Sequence, residues 1–90
     1  MEIDRFEAYE CKGFSVPEPG RRVEVSMGWR VRDTQARNYD GRLEPIDVGQ
    51  YFNEFGGLMG LAWSADTERE ARQHAAQLNA QDYAKEHKTV

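Results

Sequence analysis

Residues 22–32 alternate between apolar and polar side chains more regularly than any other part of the chain. Successive side chains of a β-strand point to opposite faces of a sheet, so the alternation predicts one strand with an apolar face and a polar face. The apolar face is predicted to carry Val23, Val25, Met27, Trp29 and Val31. The polar face is predicted to carry Arg22, Glu24, Ser26, Gly28, Arg30 and Arg32. We expect the apolar face to supply most of the core, so that Trp29→Ala costs about 3 to 5 kcal/mol.

Segments on either side of this strand predict further strands and turns. The aromatic segment 6–14 predicts a first strand with an irregularity near its glycine, and the prolines and glycine of 17–20 predict a turn. Residues 33–41 are rich in turn formers and predict a long loop, whose closing Asp-Gly pair suits a positive-φ corner. Residues 43–52 predict a third, less regular strand. Residues 55–63 are apolar and glycine-rich, which fits either a fourth strand with a bulge or a packed loop.

The last part of the chain predicts a helix that begins at Glu68. Thr67 and Glu70 have the spacing of a capping box, in which the threonine hydroxyl accepts a hydrogen bond from the Glu70 amide. A stripe at helical spacing is expected to lie on the sheet: Ala71, Ala75 and Leu78. The sequence therefore predicts an α+β fold, a three- to four-stranded, mainly antiparallel sheet with one C-terminal helix packed on one face.

Length and composition predict a single domain over residues 1–90. Ninety residues with 39% hydrophobic side chains can bury one core. A partner or a second copy of the chain would add burial, so we expect a protein partner and consider a homodimer. The chain has no apolar run near the roughly 18 residues that a membrane span needs, and its first residues are too polar for a signal peptide. We therefore expect a cytoplasmic protein without a membrane partner.

The charges are unevenly distributed, although the net charge is −4. Residues 1–20 carry a net charge of −3, residues 21–42 carry +3 and residues 43–90 carry −4. All six basic residues of the middle segment are arginines, which suit recognition of carboxylates, phosphates and aromatic rings. Because the chain as a whole is acidic, it is a poor candidate for binding nucleic acid through phosphates alone. This balance favours a protein partner over a nucleic acid.

The candidate binding residues lie in the basic segment and in the glycine-rich segment. The first group comprises Arg22, Arg30, Arg32, Arg37, Tyr39 and Arg42. A solvated sheet face explains the arginines equally well, and Tyr39 suits an interface anchor as well as an ordinary loop position. In the second group, Leu58 and Met59 become an apolar docking site if their segment is an exposed loop.

The sequence contains no catalytic motif, metal-ligand set or phosphate-binding loop. Cys11 is the only cysteine, and the two histidines, His74 and His87, have no short ligand spacing to it or to each other. The glycines of 56–60 match neither phosphate-binding pattern. We therefore expect no enzyme, no cofactor and no metal.

These observations favour a non-enzymatic interaction module that docks on a larger macromolecular assembly. In size, single-domain organisation and lack of catalytic motifs, the chain is similar to the small proteins of phages and plasmids, among them the anti-CRISPR inhibitors. That resemblance implies inhibition by steric occlusion, and no motif or residue carries it. A nucleic-acid-binding accessory protein that uses the arginine-rich strand face is the alternative.

Overall fold

A long antiparallel hairpin forms the largest part of the fold. The computed structural model describes residues 4–86. Strand β1 (Phe6–Glu18) pairs with β2 (Arg21–Asp33), and Gly20 closes the turn between them with a φ of +81°. The predicted turn is confirmed, but β1 continues through Pro17. Strand β1 is an edge strand, where a missing N–H is tolerated, and the register shifts at this point.

A β-bulge in β2 divides the predicted alternating strand into two halves. Between two paired positions β1 contributes only Cys11, whereas β2 contributes both Met27 and Gly28, and Gly28 has a φ of +95°. The extra residue reverses the alternation beyond it, because a bulge places two residues opposite one. The prediction of one continuous apolar face is therefore wrong. Trp29 and Val31 share a face with Ala8 of β1, whereas Val23, Val25 and Met27 lie on the opposite face.

The bulge explains why side chains in the two halves of β2 differ in burial. Val31 is completely buried and Trp29 is half-buried, whereas Met27 is 67% exposed and lies against Gly13. Residues 14–22 are all exposed. We refer to residues 12–26, the part of the hairpin between the bulge and the turn, as the arm.

The arm gives the molecule an extended shape. The radius of gyration is 16.3 Å, compared with about 12 Å for a compact domain of this length. The accessible surface is 7182 Å², about a third more than the roughly 5,400 Å² expected for a compact chain of this mass. A two-stranded ribbon is at best marginally stable alone in water. Additional contacts would therefore stabilise the arm more than any other part of the fold.

Four short strands surround the other half of β2. Strands β3 (Ile46–Asp47) and β6 (Ser64–Ala65) both pair with β2, antiparallel to it, and β4 (Gln50–Phe52) pairs with β5 (Leu58–Gly60) in a separate two-stranded sheet. The predicted single strand over 43–52 is thus two strands in two sheets, separated by Gly49 with a φ of +98°. The segment 55–63 contributes a short strand and no bulged fourth strand of the main sheet.

Helix α1 (Glu68–Glu86) packs on the base of the hairpin and confirms the predicted α+β fold. The Glu70 amide donates to the Thr67 hydroxyl at 3.3 Å, which is one of the two reciprocal bonds that a capping box comprises. Ala71 and Ala75 are buried, so the predicted stripe does lie on the sheet. Near the other end of the helix, Arg5 donates to both carboxylate oxygens of Asp33 and to Asp82.

Candidate docking surface

The arginines of β2 do not form one surface, because the bulge separates them. Arg22 lies on the arm, and its guanidinium covers the Phe14 ring at 4.0 Å. Arg30 and Arg32 lie beyond the bulge on the face opposite the helix, where Arg32 covers the ring of Tyr9 at 4.3 Å. The prediction that all three share the outward side of one strand is wrong. They are already engaged within the chain, and this weakens the case for a continuous phosphate-binding face.

The predicted loop residues lie on a small turn that closes on itself. Arg37 forms a β-bridge with Leu43 and donates a side-chain hydrogen bond to the Gly41 carbonyl at 2.8 Å. The Asn38 side chain accepts from the amide of Arg42 at 3.1 Å. Gly41 has a φ of +79°, which confirms the predicted positive-φ corner. Tyr39, in the middle of this turn, is exposed.

A second ordered turn lies in the hairpin of β4 and β5. The side-chain oxygen of Asn53 accepts hydrogen bonds from the amides of Phe55 at 2.9 Å and Gly57 at 2.8 Å. The amide of Asn53 donates to the Gly57 carbonyl at 2.9 Å. These bonds hold the turn in one conformation while Phe55 at its tip is 86% exposed. The hairpin therefore presents an aromatic ring on a fixed backbone.

Exposed apolar side chains occur on both of these turns and on the strands of the β4–β5 hairpin. Tyr51 and Met59 are direct cross-strand partners, so their side chains share one face of the β4–β5 hairpin. A Cβ on Gly56 would lie 3.7 Å from that of Tyr39, which places Tyr39 at the hairpin tip. All of these apolar side chains are exposed. We call Tyr39, Tyr51, Phe55 and Met59 the docking surface.

The structure separates the two predicted apolar residues. Leu58 and Met59 are both exposed, but they are neighbours on a strand and point to opposite faces. Leu58 instead lines a groove of about 360 Å³ with Tyr9 and Asp47. Sequence reasoning missed Tyr51 and Phe55. Their signal was an aromatic residue on either side of an asparagine, followed by two glycines, a pattern typical of a hairpin turn that cannot bury both rings.

A polar cluster fills the side of that groove nearest β1. The Tyr9 hydroxyl donates to one carboxylate oxygen of Asp47, and Arg30 lies 3.5 Å from the other. The Asp47 amide donates to the side chain of Gln50 at 3.3 Å. Burial raises the pKa of Tyr9 to about 12, and its hydrogen bond to Asp47 acts in the same direction. The cluster links β1, β2 and β3 on the face opposite the helix.

The raised pKa of Tyr9 predicts a loss of stability at high pH. The folded-state pKa of about 12 exceeds the unfolded value of about 10. The neutral phenol therefore contributes stability that is complete below about pH 10 and is lost as the pH rises towards about 12. In an ultraviolet titration of the wild-type protein, we expect a late phenolate transition that Tyr9→Phe removes. A Tyr9→Phe curve that keeps the late transition would contradict this assignment.

The residues that the structure describes contain few features that would indicate a catalytic or metal-binding site. Within residues 4–86, no three His, Cys, Asp or Glu side chains are grouped so as to hold a metal ion, and His87 lies outside this range. The helix that the structure describes is not long and apolar enough to cross a bilayer. His74 instead stacks on Trp63 with ring centroids 4.1 Å apart.

Comparison with known proteins gives no relative from which a function could be transferred. No family model, no curated protein and no solved structure matches the chain significantly.

Proposed function

We propose that the protein is a non-enzymatic interaction module that docks on a larger protein assembly through the docking surface. The observation that carries this proposal is the set of exposed aromatic and aliphatic side chains on two turns with fixed backbones. Contiguous exposed apolar surface is typical of interaction sites, and tyrosine is enriched among the residues that dominate binding energy. Steric occlusion of the partner is the mode of action that fits such a module.

The fixed backbone of the docking surface favours tight binding. Ordering a flexible loop on association costs free energy, and the Asn53 and Asn38 side chains already order both turns in the free chain. Phe55 then enters a partner's pocket without a large entropic penalty. The internal hydrogen bonds of these two short turns thus order the backbone while the apolar side chains remain in solvent.

A protein partner fits the charges better than a nucleic acid. Arg30 is ion-paired with Asp47, and Arg22 and Arg32 cover aromatic rings of their own chain on opposite faces of the hairpin. The net charge of −4 would oppose association with phosphates. The docking surface itself is apolar and aromatic.

Affinity capture with matched variants tests this proposal. Tagged wild-type protein and a Tyr51→Ser/Phe55→Ser double variant are incubated with lysate of cells that carry the gene, and captured proteins are identified by mass spectrometry. Binding of the purified partner is then measured by calorimetry. We expect the double variant to bind at least about 30-fold more weakly, because one anchor residue contributes about 2 kcal/mol.

An exposed helix residue provides the control. Gln77→Ser lies on α1 and outside the docking surface, so its affinity should equal that of the wild type. A partner that binds the double variant as tightly as the wild type would overturn the proposed surface. Capture that depends on nucleic acid and is abolished by nuclease or added salt would instead favour the accessory protein that binds nucleic acid.

A further inference from the structure

The outer edge of β1 is open to a further strand. Within residues 4–86, β1 pairs only with β2. The Arg5 carbonyl accepts from the Thr34 amide on the β2 side, so odd-numbered residues direct their main-chain groups inward and even-numbered residues direct theirs outward. The outward groups of Phe6 are occupied, because its amide donates to the Asn79 side chain at 2.8 Å and its carbonyl accepts from it at 2.9 Å. Beyond this point, no side chain among residues 4–86 caps the outward main-chain groups of β1 in the same way.

A groove runs along the same edge, lined by three alanines, Phe6 and the polar side chains of Asp4, Glu7, Arg72 and Asn79. It has a volume of about 520 Å³ and lies between β1 and the helix. Ala8 forms its β1 side, and Ala75 and Ala76 lie on its helix side. Because all three are alanines, a strand added at this edge would have room for a large side chain above Ala8.

The chain carries side chains that suit this groove on its own arm. Phe14 is 57% exposed and Val16 is 64% exposed. Phe14 has an even number and lies before the register shift between Ser15 and Glu18, so it projects from the same face of the hairpin as Ala8, which lines the groove beside the helix. An arm added antiparallel to β1 would therefore deliver Phe14 on the face that contains the groove.

Charge complementarity selects one register for two identical strands. The outward main-chain groups must pair with each other, which restricts the registers to those that pair even-numbered residues. The register centred on Cys11 places Glu10 opposite Lys12 of the partner subunit, twice by symmetry, and Ala8 opposite Phe14 of the partner subunit. Within its own chain the Lys12 ammonium lies 3.2 Å from a carboxylate oxygen of Glu24 and 3.9 Å from one of Glu10, so the partner's Glu10 adds a further carboxylate to this cluster. Slipping one strand by two residues places Glu10 opposite itself or Lys12 opposite itself. Opposite charges stabilise directly opposed pairs, and like charges destabilise them.

We propose that the chain forms a two-fold symmetric dimer in which the β1 edges of two copies pair antiparallel around Cys11. Each copy inserts its Phe14 into the groove between β1 and the helix of the other. The surplus accessible surface of the extended chain suffices for such a contact, since a standard interface buries about 800 Å² per partner. This dimer uses the edge of the sheet opposite β3, so it is independent of the docking surface.

Charge reversal tests the register. We expect sedimentation equilibrium to show a wild-type dimer, and Glu10→Lys or Lys12→Glu to weaken dimerisation at least about tenfold. The double variant Glu10→Lys/Lys12→Glu restores the opposed charges and should restore the dimer. Phe14→Ser should also produce a monomer, and circular dichroism should show that it remains folded because this ring is largely exposed. A dimer that survives both single charge reversals would overturn the proposal.

Crosslinking at Cys11 tests the position of the symmetry axis. In this register the two Cys11 residues form a non-hydrogen-bonded pair with Cα atoms about 4.5 Å apart, within the range that a disulfide accepts. Mild oxidation should therefore crosslink the wild-type dimer rapidly, whereas Cys11→Ser/Ser15→Cys should not crosslink, because position 15 is far from the axis. A wild-type monomer at about 100 μM would also overturn the proposal, since a dimer with a micromolar Kd would be largely assembled there.

Discussion

Replacing Gly49 with alanine is expected to lower the free energy of unfolding by about 3 kcal/mol or more. Gly49 has a φ of +98°, a conformation that residues with a Cβ rarely adopt. A Cβ at this position would lie 2.3 Å from the carbonyl oxygen of Leu61 and 3.1 Å from the amide nitrogen of Trp63. Both neighbours are main-chain atoms, which cannot rotate away as a side chain would.

The position of Gly49 explains why its replacement should destabilise neighbouring strands as well. The preceding residue, Val48, donates its amide to the Val31 carbonyl at 2.8 Å and accepts from the Trp63 amide at 2.7 Å. These two hydrogen bonds join the segment between β3 and β4 to β2 and to the chain before β6. Moving the backbone to make room for a methyl group would strain both bonds, so the change should loosen the base of the fold as a whole.

Substitutions at two other glycines measure the cost of a positive φ without a steric clash, for comparison with Gly49→Ala. Gly20 and Gly41 have φ values of +81° and +79°, and a Cβ on either would meet nothing within 4 Å. Alanine at these positions should therefore cost only the conformational term, about 1 to 2 kcal/mol. Thermal unfolding at equal protein concentrations measures all three variants, and each kcal/mol corresponds to roughly 4 to 8 °C. Equal losses for Gly49→Ala and Gly41→Ala would contradict the close main-chain packing.

The features that the sequence predicted well depend on local chemistry. The start of α1 follows from the hydroxyl of Thr67 and the amide three residues later, and both groups lie within one turn of chain. The corner at Gly41 likewise depends on a residue's own φ preference. Such features need no knowledge of distant neighbours. They are therefore visible in a single sequence.

The features that the sequence predicted wrongly depend on partner strands. The alternation in 22–32 is real, but its effect on the faces depends on how many β1 residues lie opposite it. Because β1 contributes only one residue opposite Met27 and Gly28, the side chains of β2 after Gly28 point to the faces opposite to those predicted. Gly28, with its positive φ, is the signal of this bulge in the sequence. The split of 43–52 into strands of two sheets has the same origin, since pairing partners lie elsewhere in the chain.

The candidate site shows a similar division. The sequence predicted Leu58 and Met59 as a docking site on condition that they lie on an exposed loop; both are exposed, but on strand β5, and only Met59 lies on the docking surface. Tyr51 and Phe55 were missed because apolar residues are normally assigned to a core, and exposure is decided by what packs over them. The arginines were grouped by spacing along one strand, and the bulge removed that grouping.

Replacing Val31 with alanine is the second change with a large expected effect. Val31 is fully buried, and it is the one large side chain with no exposure in the part of the chain that the structure describes. The helix packs on β2 and buries Ala71 and Ala75, whose short side chains bring α1 close to the sheet. Removing two methyl groups loses their burial and leaves a cavity, so we expect Val31→Ala to cost about 2 to 3 kcal/mol.

The matched control is the same substitution at the other end of the same strand. Val23 is half-buried, lies on the arm and faces away from the helix, so Val23→Ala should cost about 1 kcal/mol or less. Urea unfolding monitored by circular dichroism measures both variants, with the protein concentration held constant because a dimer would make stability concentration-dependent. If one continuous face formed the core, the two variants would lose similar stability. A loss at Val31 two- to threefold larger than at Val23 is the result that the bulge requires, because it places only the residues beyond Gly28 under the helix.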